Sequence, residues 1–98
     1  MPHRLAPQAE SDLDDIWYYV AQESANLEIA DRLIDSIAER FLLLASHPHI
    51  GRSRSDLRPG LRSFAVGAYV IIYRVDGADV LVLRVLRGSR DLPALLET

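Results

Sequence analysis

Arginine supplies every basic side chain outside the histidines in this sequence: eleven of the 98 residues are Arg and none is Lys. A guanidinium pairs well with planar carboxylates and phosphates, but it stays protonated and shuttles protons poorly near neutral pH. Groups that do move protons are scarce. His3, His47 and His49 fall in terminal and loop segments, far in sequence from Arg90. With no cysteine, thiol catalysis, disulfides and Cys-based zinc sites are excluded. Asp12, Asp14 and Asp15 cluster, but acids in the early turns of a helix are ordinarily solvated against its dipole. His47-Pro48-His49 reads as a loop cap. Neither group reads as a metal site, and no cofactor is expected. The chemistry on offer is therefore anion holding more than catalysis.

The arginines are unevenly placed. Residues 1–39 carry two arginines against nine acids, a balance of −7, and residues 40–98 carry nine against five, a balance of +4. Such a split implies pairing between layers of the fold or an exposed basic face for an acidic partner. Arg74 and Arg84, on adjacent strands, are expected to reach back to helical acids such as Asp12, Asp15 or Glu39.

The elements that must position these groups are legible in the pattern. Phe64 to Leu86 reads as two long β-branched and aromatic runs joined at Asp76-Gly77, a strong hairpin signal. The runs are almost continuously apolar, so the strands should be covered on one face and partly shielded on the other. Tyr69 and Tyr73 share one strand face, where core or groove packing is expected. His3-Arg4-Leu5 is a short candidate strand, with Pro7 suited to the first turn of the helix that follows. Ala9, Leu13, Ile16 and Val20 form that helix's inner stripe, joined by Tyr19 and flanked by Trp17, with Tyr18 outward. A second helix starts near Ser24 to Asn26 and stops before His47-Pro48. Its inner stripe is Ala30, Leu33, Ile37, Phe41 and Leu44, widened by Ile34 and by Leu42 or Leu43. Residues 47–60 read as a basic loop, 61–66 as a strand, and 87–98 as a charged tail with a possible helical turn. The order is β-α-α-β-β-β, an α+β fold with a helical hairpin on a small antiparallel sheet and the first strand at an edge. Residues 1–98 form a single domain. No apolar run reaches the roughly 18 residues of a membrane span, and no signal core opens the chain, so no membrane partner and a cytoplasmic location are expected.

Laid out this way, the sequence resembles the ParE branch of the RelE/ParE superfamily of toxin–antitoxin modules. Leu5-Ala6-Pro7-x-Ala9-x-x-Asp12-Leu13-x-x-Ile16-x-x-Tyr19 is similar to the family's first helix. Leu44-x-x-x-Pro48-x-x-Gly51 is similar to its exit from the second. Asp56-Leu57-Arg58-Pro59-Gly60-Leu61-Arg62-x-Phe64-x-Val66-Gly67-x-Tyr69-x-Ile71-x-Tyr73-Arg74 resembles its central strands, and Arg84-Val85-Leu86-x-Gly88-x-Arg90-Asp91-Leu92 its close. The resemblance implies a RelE/ParE toxin-like fold and a toxin neutralised by a cognate, ParD-like antitoxin, with DNA contacted only through that antitoxin. ParE-type members are associated with poisoning of DNA gyrase, whereas RelE-type members cut messenger RNA in the ribosomal A site.

Cleaving members supply Lys, Arg and Tyr or His on the sheet face for 2′-hydroxyl activation and leaving-group protonation. Here Lys is absent, Val70 follows Tyr69 where an Arg is often found, and the tail reads Leu92-Pro93-Ala94-Leu95-Leu96. Only Arg90 stands where a basic residue is expected. This favours gyrase inhibition without catalytic residues over an mRNA interferase, with a toxin-like module that has lost toxicity as a further alternative. Candidate target contacts are Arg87, Arg90, Asp91, Leu92, Leu95 and Leu96. In the competing reading, Arg90 pairs with Asp91 and the leucines seal the sheet. Candidate antitoxin contacts are Trp17, Tyr18, Arg52, Arg58, Arg62 and Arg74, since an acidic amphipathic segment that folds on binding would complement the Arg-rich half.

Overall fold

The structure, a computed structural model, describes residues 2–88 and 92–93. Strand β1 (His3–Leu5) leads into helix α1 (Pro7–Ser24), and helix α2 (Leu27–Ser46) follows after a two-residue link. Strands β2 (Arg52–Ser53), β3 (Arg62–Val66), β4 (Tyr69–Asp76) and β5 (Asp79–Arg87) complete a five-stranded sheet of order β1-β5-β4-β3-β2. The expected order is present, with two differences. The sheet is mixed, because β1 runs parallel to β5 while the other pairs are antiparallel. Three residues carry no patterning that could specify this direction. The basic loop also contains β2, a two-residue strand pairing with Ser63 and Arg62.

The helices form where the apolar spacing places them. Pro7 opens α1, where its missing N–H costs nothing. Ala25 takes a left-handed conformation (φ 52°) to end it. The Asn26 side chain then accepts from the Glu28 N–H at 2.9 Å, capping α2. Asn26→Ala should lower stability by about 1 kcal/mol, measured by urea denaturation. Of the α2 stripe, Ala30, Ile37, Phe41 and Leu44 are buried and Leu33 is half-buried, whereas Leu42 is exposed and Leu43 takes the half-buried flank. Ala9 and Ile16 of α1 are buried with them, and Leu13 and Val20 pack at the margin. Tyr19 departs from its expected place, since half of it is exposed.

Both sheet faces carry apolar clusters, which accounts for the lack of strict alternation in the strands. Towards the helices, Ile37, Phe41 and Leu44 meet Ile71, Tyr73, Val80, Val82 and Val85. On the opposite face, Leu61, Ile72, Leu86 and Leu92 form a smaller cluster flanked by Leu57, Val70 and Leu83. Hairpin turns set the register. The β4–β5 turn is Gly77-Ala78, one residue later than Asp76-Gly77, because Asp76 still pairs with Asp79. Gly77 has φ +63° and Gly67, in the β3–β4 turn, φ +57°, values that glycine adopts without a Cβ penalty.

Candidate functional site

Pairing between β4 and β5 slips by one residue between Ile72 and Tyr73: Tyr73 pairs with Val82, but Ile72 pairs with Arg84. The extra residue on β5 is a β-bulge. It has a clear consequence for burial. Strict alternation from Val80 and Val82 would put Arg84 into the helix-facing core. Instead Val85 joins that core and Leu86 the cluster on the other face. A bulge also frees backbone groups from the ladder, and α1 supplies the partner. Asp12 Oδ2 accepts the Val85 N–H at 2.9 Å. The same carboxylate takes Arg84 Nε at 2.8 Å and Arg84 Nη2 at 3.0 Å. The two side chains are only 17% and 11% exposed, so the pair is largely shielded from solvent. The hydrogen bond to Asp12 holds the Arg84 guanidinium above its usual pKa, against the opposing effect of burial. The expectation that Arg84 reaches a helical acid is met by Asp12.

The pair itself forms part of the wall of an open cleft of about 420 Å³ between α1 and the ends of β4 and β5, shared with Asp15, Ile16, Tyr19, Tyr69 and Arg87. The Arg87 guanidinium sits over the Tyr19 ring, 5.8 Å from its centre. Tyr19 lies at the rim, where this cation covers one of its faces in place of core side chains.

A second fixed point lies at the far end of β4. The buried Tyr73 hydroxyl donates to the Pro48 carbonyl at 2.8 Å and accepts the Gly51 N–H at 2.9 Å. Burial raises its pKa above the ordinary phenol value, outweighing the Gly51 N–H and Arg62, which act the other way. Arg62 Nη1 donates to the carbonyls of Gly51 at 2.8 Å and His49 at 3.4 Å. Together they pin the loop between α2 and β2. No sequence pattern singled out this arrangement, although the Pro48-x-x-Gly51 spacing marks its two ends.

The remaining candidates are scattered. Arg52, Arg58 and Arg74 are exposed, with no ion pair among the described residues. Arg74 does not reach the helices, contrary to expectation. It is two residues beyond Ile72, which lies in the cluster on the opposite sheet face, so strand alternation turns it away from α1 and α2. Arg54 is held locally by Asp56, with two contacts of 3.1 Å, and Arg4 bridges Asp76 and Asp79 at 2.8 and 3.1 Å. Trp17 is half-buried and its Nε1 donates to Asp31 at 2.8 Å, tying α1 to α2, while Tyr18 is exposed. Trp17 and Tyr18 therefore sit on the helical layer, on the other side of the sheet from Arg74. Leu92 is buried against Leu61, Ile72 and Leu86, as the sealing role predicts. Arg90, Asp91, Leu95 and Leu96 lie outside the described residues. No group of three or more potential metal ligands occurs among the described residues.

Residues 4–92 match the family described as the ParE toxin of type II toxin–antitoxin system, parDE. The chain belongs to the ParE toxin family. This ParE-family chain is 41% identical over 85 residues to Toxin ParE3 of Caulobacter vibrioides, covering 87% of this chain and 84% of that protein. It is 39% identical to Toxin ParE1 of the same organism, with 97% of both chains covered. Toxin RelE3, also from Caulobacter vibrioides, is 34% identical over 82 residues, with 83% and 87% covered. Among solved structures, a chain of the chromosomal ParDE toxin–antitoxin system from P. aeruginosa superposes with a TM-score of 0.77 at 25% identity. That match covers 89% of this chain and 95% of the other. The chain is thus a type II toxin of the ParE kind, a class whose partner is an antitoxin. None of its described helices is long and apolar enough to cross a membrane.

Proposed function

We propose that this toxin inhibits DNA gyrase by occupying it, without a chemical step of its own, and that a ParD-like antitoxin neutralises it. Gyrase inhibition is the activity associated with ParE toxins, and the family match spans nearly the whole chain. The observation that carries the non-catalytic part is the commitment of two of the sheet's polar groups, Arg84 and Tyr73, to structure. Arg84 is held in a bidentate pair by Asp12, and the Tyr73 hydroxyl is used in both directions by Pro48 and Gly51. A nuclease would need such groups available to a phosphate and a 2′-hydroxyl.

Target engagement is assigned to Arg87 and to the tail beyond it, Arg90, Asp91, Leu95 and Leu96. Leu92, buried under the sheet, acts there as an anchor for the tail and not as a contact. Antitoxin binding is assigned to Trp17 and Tyr18 on the helical layer and to Arg52, Arg58 and Arg74 across the sheet. Arg62 serves this surface indirectly, by holding the loop that leads to Arg52. An acidic segment would complement the exposed guanidinium groups, and burying them against carboxylates would set the register of the complex.

The test is a supercoiling assay with purified gyrase and relaxed plasmid. The toxin alone should block supercoiling, and pre-mixing with the antitoxin should restore it. Full gyrase activity at every toxin concentration would overturn the proposal.

A further inference from the structure

We infer that Asp12 is a positioning residue that fixes which way the end of β5 presents Arg87, an inference that rests on the proposed gyrase reading. A bulge sets two residues of one strand against one of its partner, and a slip of one residue exchanges the faces of every side chain beyond it. In β5 the residues beyond the bulge are Val85, Leu86 and Arg87. Val85 faces the helices, Leu86 the opposite cluster, and Arg87 lies over Tyr19 in the cleft. The Gly88 N–H donates to the Ala68 carbonyl at 2.9 Å and closes the pairing just before the tail. Strand β1 cannot hold this register, because it pairs only with Val80, Leu81 and Val82. The β4 ladder and the burial of Val85 and Leu86 favour this register, and Asp12 supplies the hold from the helix side. Its carboxylate takes the Val85 N–H and the Nε and Nη2 groups of Arg84, thereby fixing the two residues at and after the bulge. A slipped strand would lose all three bonds and carry Arg87 off the Tyr19 ring.

The test compares the wild type with two variants, each prepared as its complex with the antitoxin and then freed of it. Asp12→Leu combined with Arg84→Met replaces the shielded pair with apolar side chains of similar size, a swap that commonly preserves folding. It also leaves the Val85 N–H without an acceptor. Arg84→Gln keeps the Asp12 carboxylate and its bond to Val85. Three quantities are measured: amide exchange at Val85 and Gly88, antitoxin affinity, and gyrase inhibition. The double variant should lose protection at both amides and weaken gyrase inhibition at least about tenfold, with antitoxin affinity within about twofold of wild type. Arg84→Gln should keep its protection and inhibit within about threefold of wild type. Wild-type protection in the double variant, or undiminished inhibition, overturns the inference. So does an equal loss of antitoxin and gyrase binding, which marks a merely structural role. Should the double variant not fold, Arg84→Gln decides: an exposed Val85 amide or lost inhibition in that variant overturns it. If the wild type itself spares gyrase, the functional proposal fails, and the clamp is judged by amide exchange alone.

Discussion

Asp12→Ala should lower folding stability by about 3–5 kcal/mol, the cost of removing one partner from a shielded ion pair. Two losses combine. The Arg84 guanidinium is left in a place where its side chain is only 17% exposed, with its carboxylate gone. The Val85 N–H, freed from the ladder by the bulge, loses its acceptor at 2.9 Å. Neither group can be rescued by a small shift, because Val85 is buried in the core and the backbone on either side is paired with β4. Asp14→Ala and Asp15→Ala are the controls. Both carboxylates are on the same helix and exposed, and surface substitutions away from such bonds change stability by within about 0.5 kcal/mol. Urea denaturation of the three variants gives the comparison. A loss for Asp12→Ala no larger than for the controls would contradict the account of the bulge.

Gly51→Ala is the second large effect, expected at about 3 kcal/mol because the new methyl group overpacks a fixed site. A Cβ on Gly51 would collide with the Tyr73 ring and hydroxyl and stand 2.9 Å from the Ser63 carbonyl oxygen. The ring cannot move aside, since Tyr73 is fully buried and its hydroxyl bridges Pro48 and Gly51. Tyr73→Phe keeps the ring and removes only the hydroxyl. It leaves the Gly51 N–H unpaired and should cost about 1–3 kcal/mol. The two substitutions also separate by pH. Burial raises the Tyr73 pKa above its ordinary 10.0, so the folded state favours the neutral phenol. That contribution is full below pH 10 and is lost as pH rises through the folded value. The stability gap between wild type and Tyr73→Phe should therefore narrow above pH 10, measured by chemical denaturation across that range. A gap constant with pH would show that the phenol is not held neutral.

How much of this was legible in the sequence depends on what kind of physics wrote it. Burial follows apolar spacing, so Ala9, Ile16, Ile37, Phe41 and Leu44 could be placed from sequence, and they are buried. Helix ends follow local chemistry, and Pro7 and Asn26 mark theirs. Arg84 with Asp12 was within reach, because a charged side chain between Leu83 and Val85 needs a partner and α1 supplies acids. Arg74 shows the limit of that argument. Its strand is adjacent to that of Arg84, but alternation turns it to the other face of the sheet, and charge counting says nothing about faces. The bulge itself has only a faint trace, in the three-residue step from Val82 to Val85 between core positions. Tyr19 leaves the buried stripe because helical spacing fixes a direction but not where the sheet ends beneath it. The Tyr73–Gly51 pin joins residues 22 apart through a hydroxyl and a backbone amide, a bond that no local pattern encodes.

The central claim is that this toxin acts by holding a protein, with Arg84 and Tyr73 spent on structure. The most direct measurement places purified toxin, side by side, in a gyrase supercoiling reaction and in a reconstituted translation reaction with labelled transcript. The account predicts blocked supercoiling and an intact transcript over the same concentration range. Active gyrase alongside transcript cut at the ribosomal A site would contradict it.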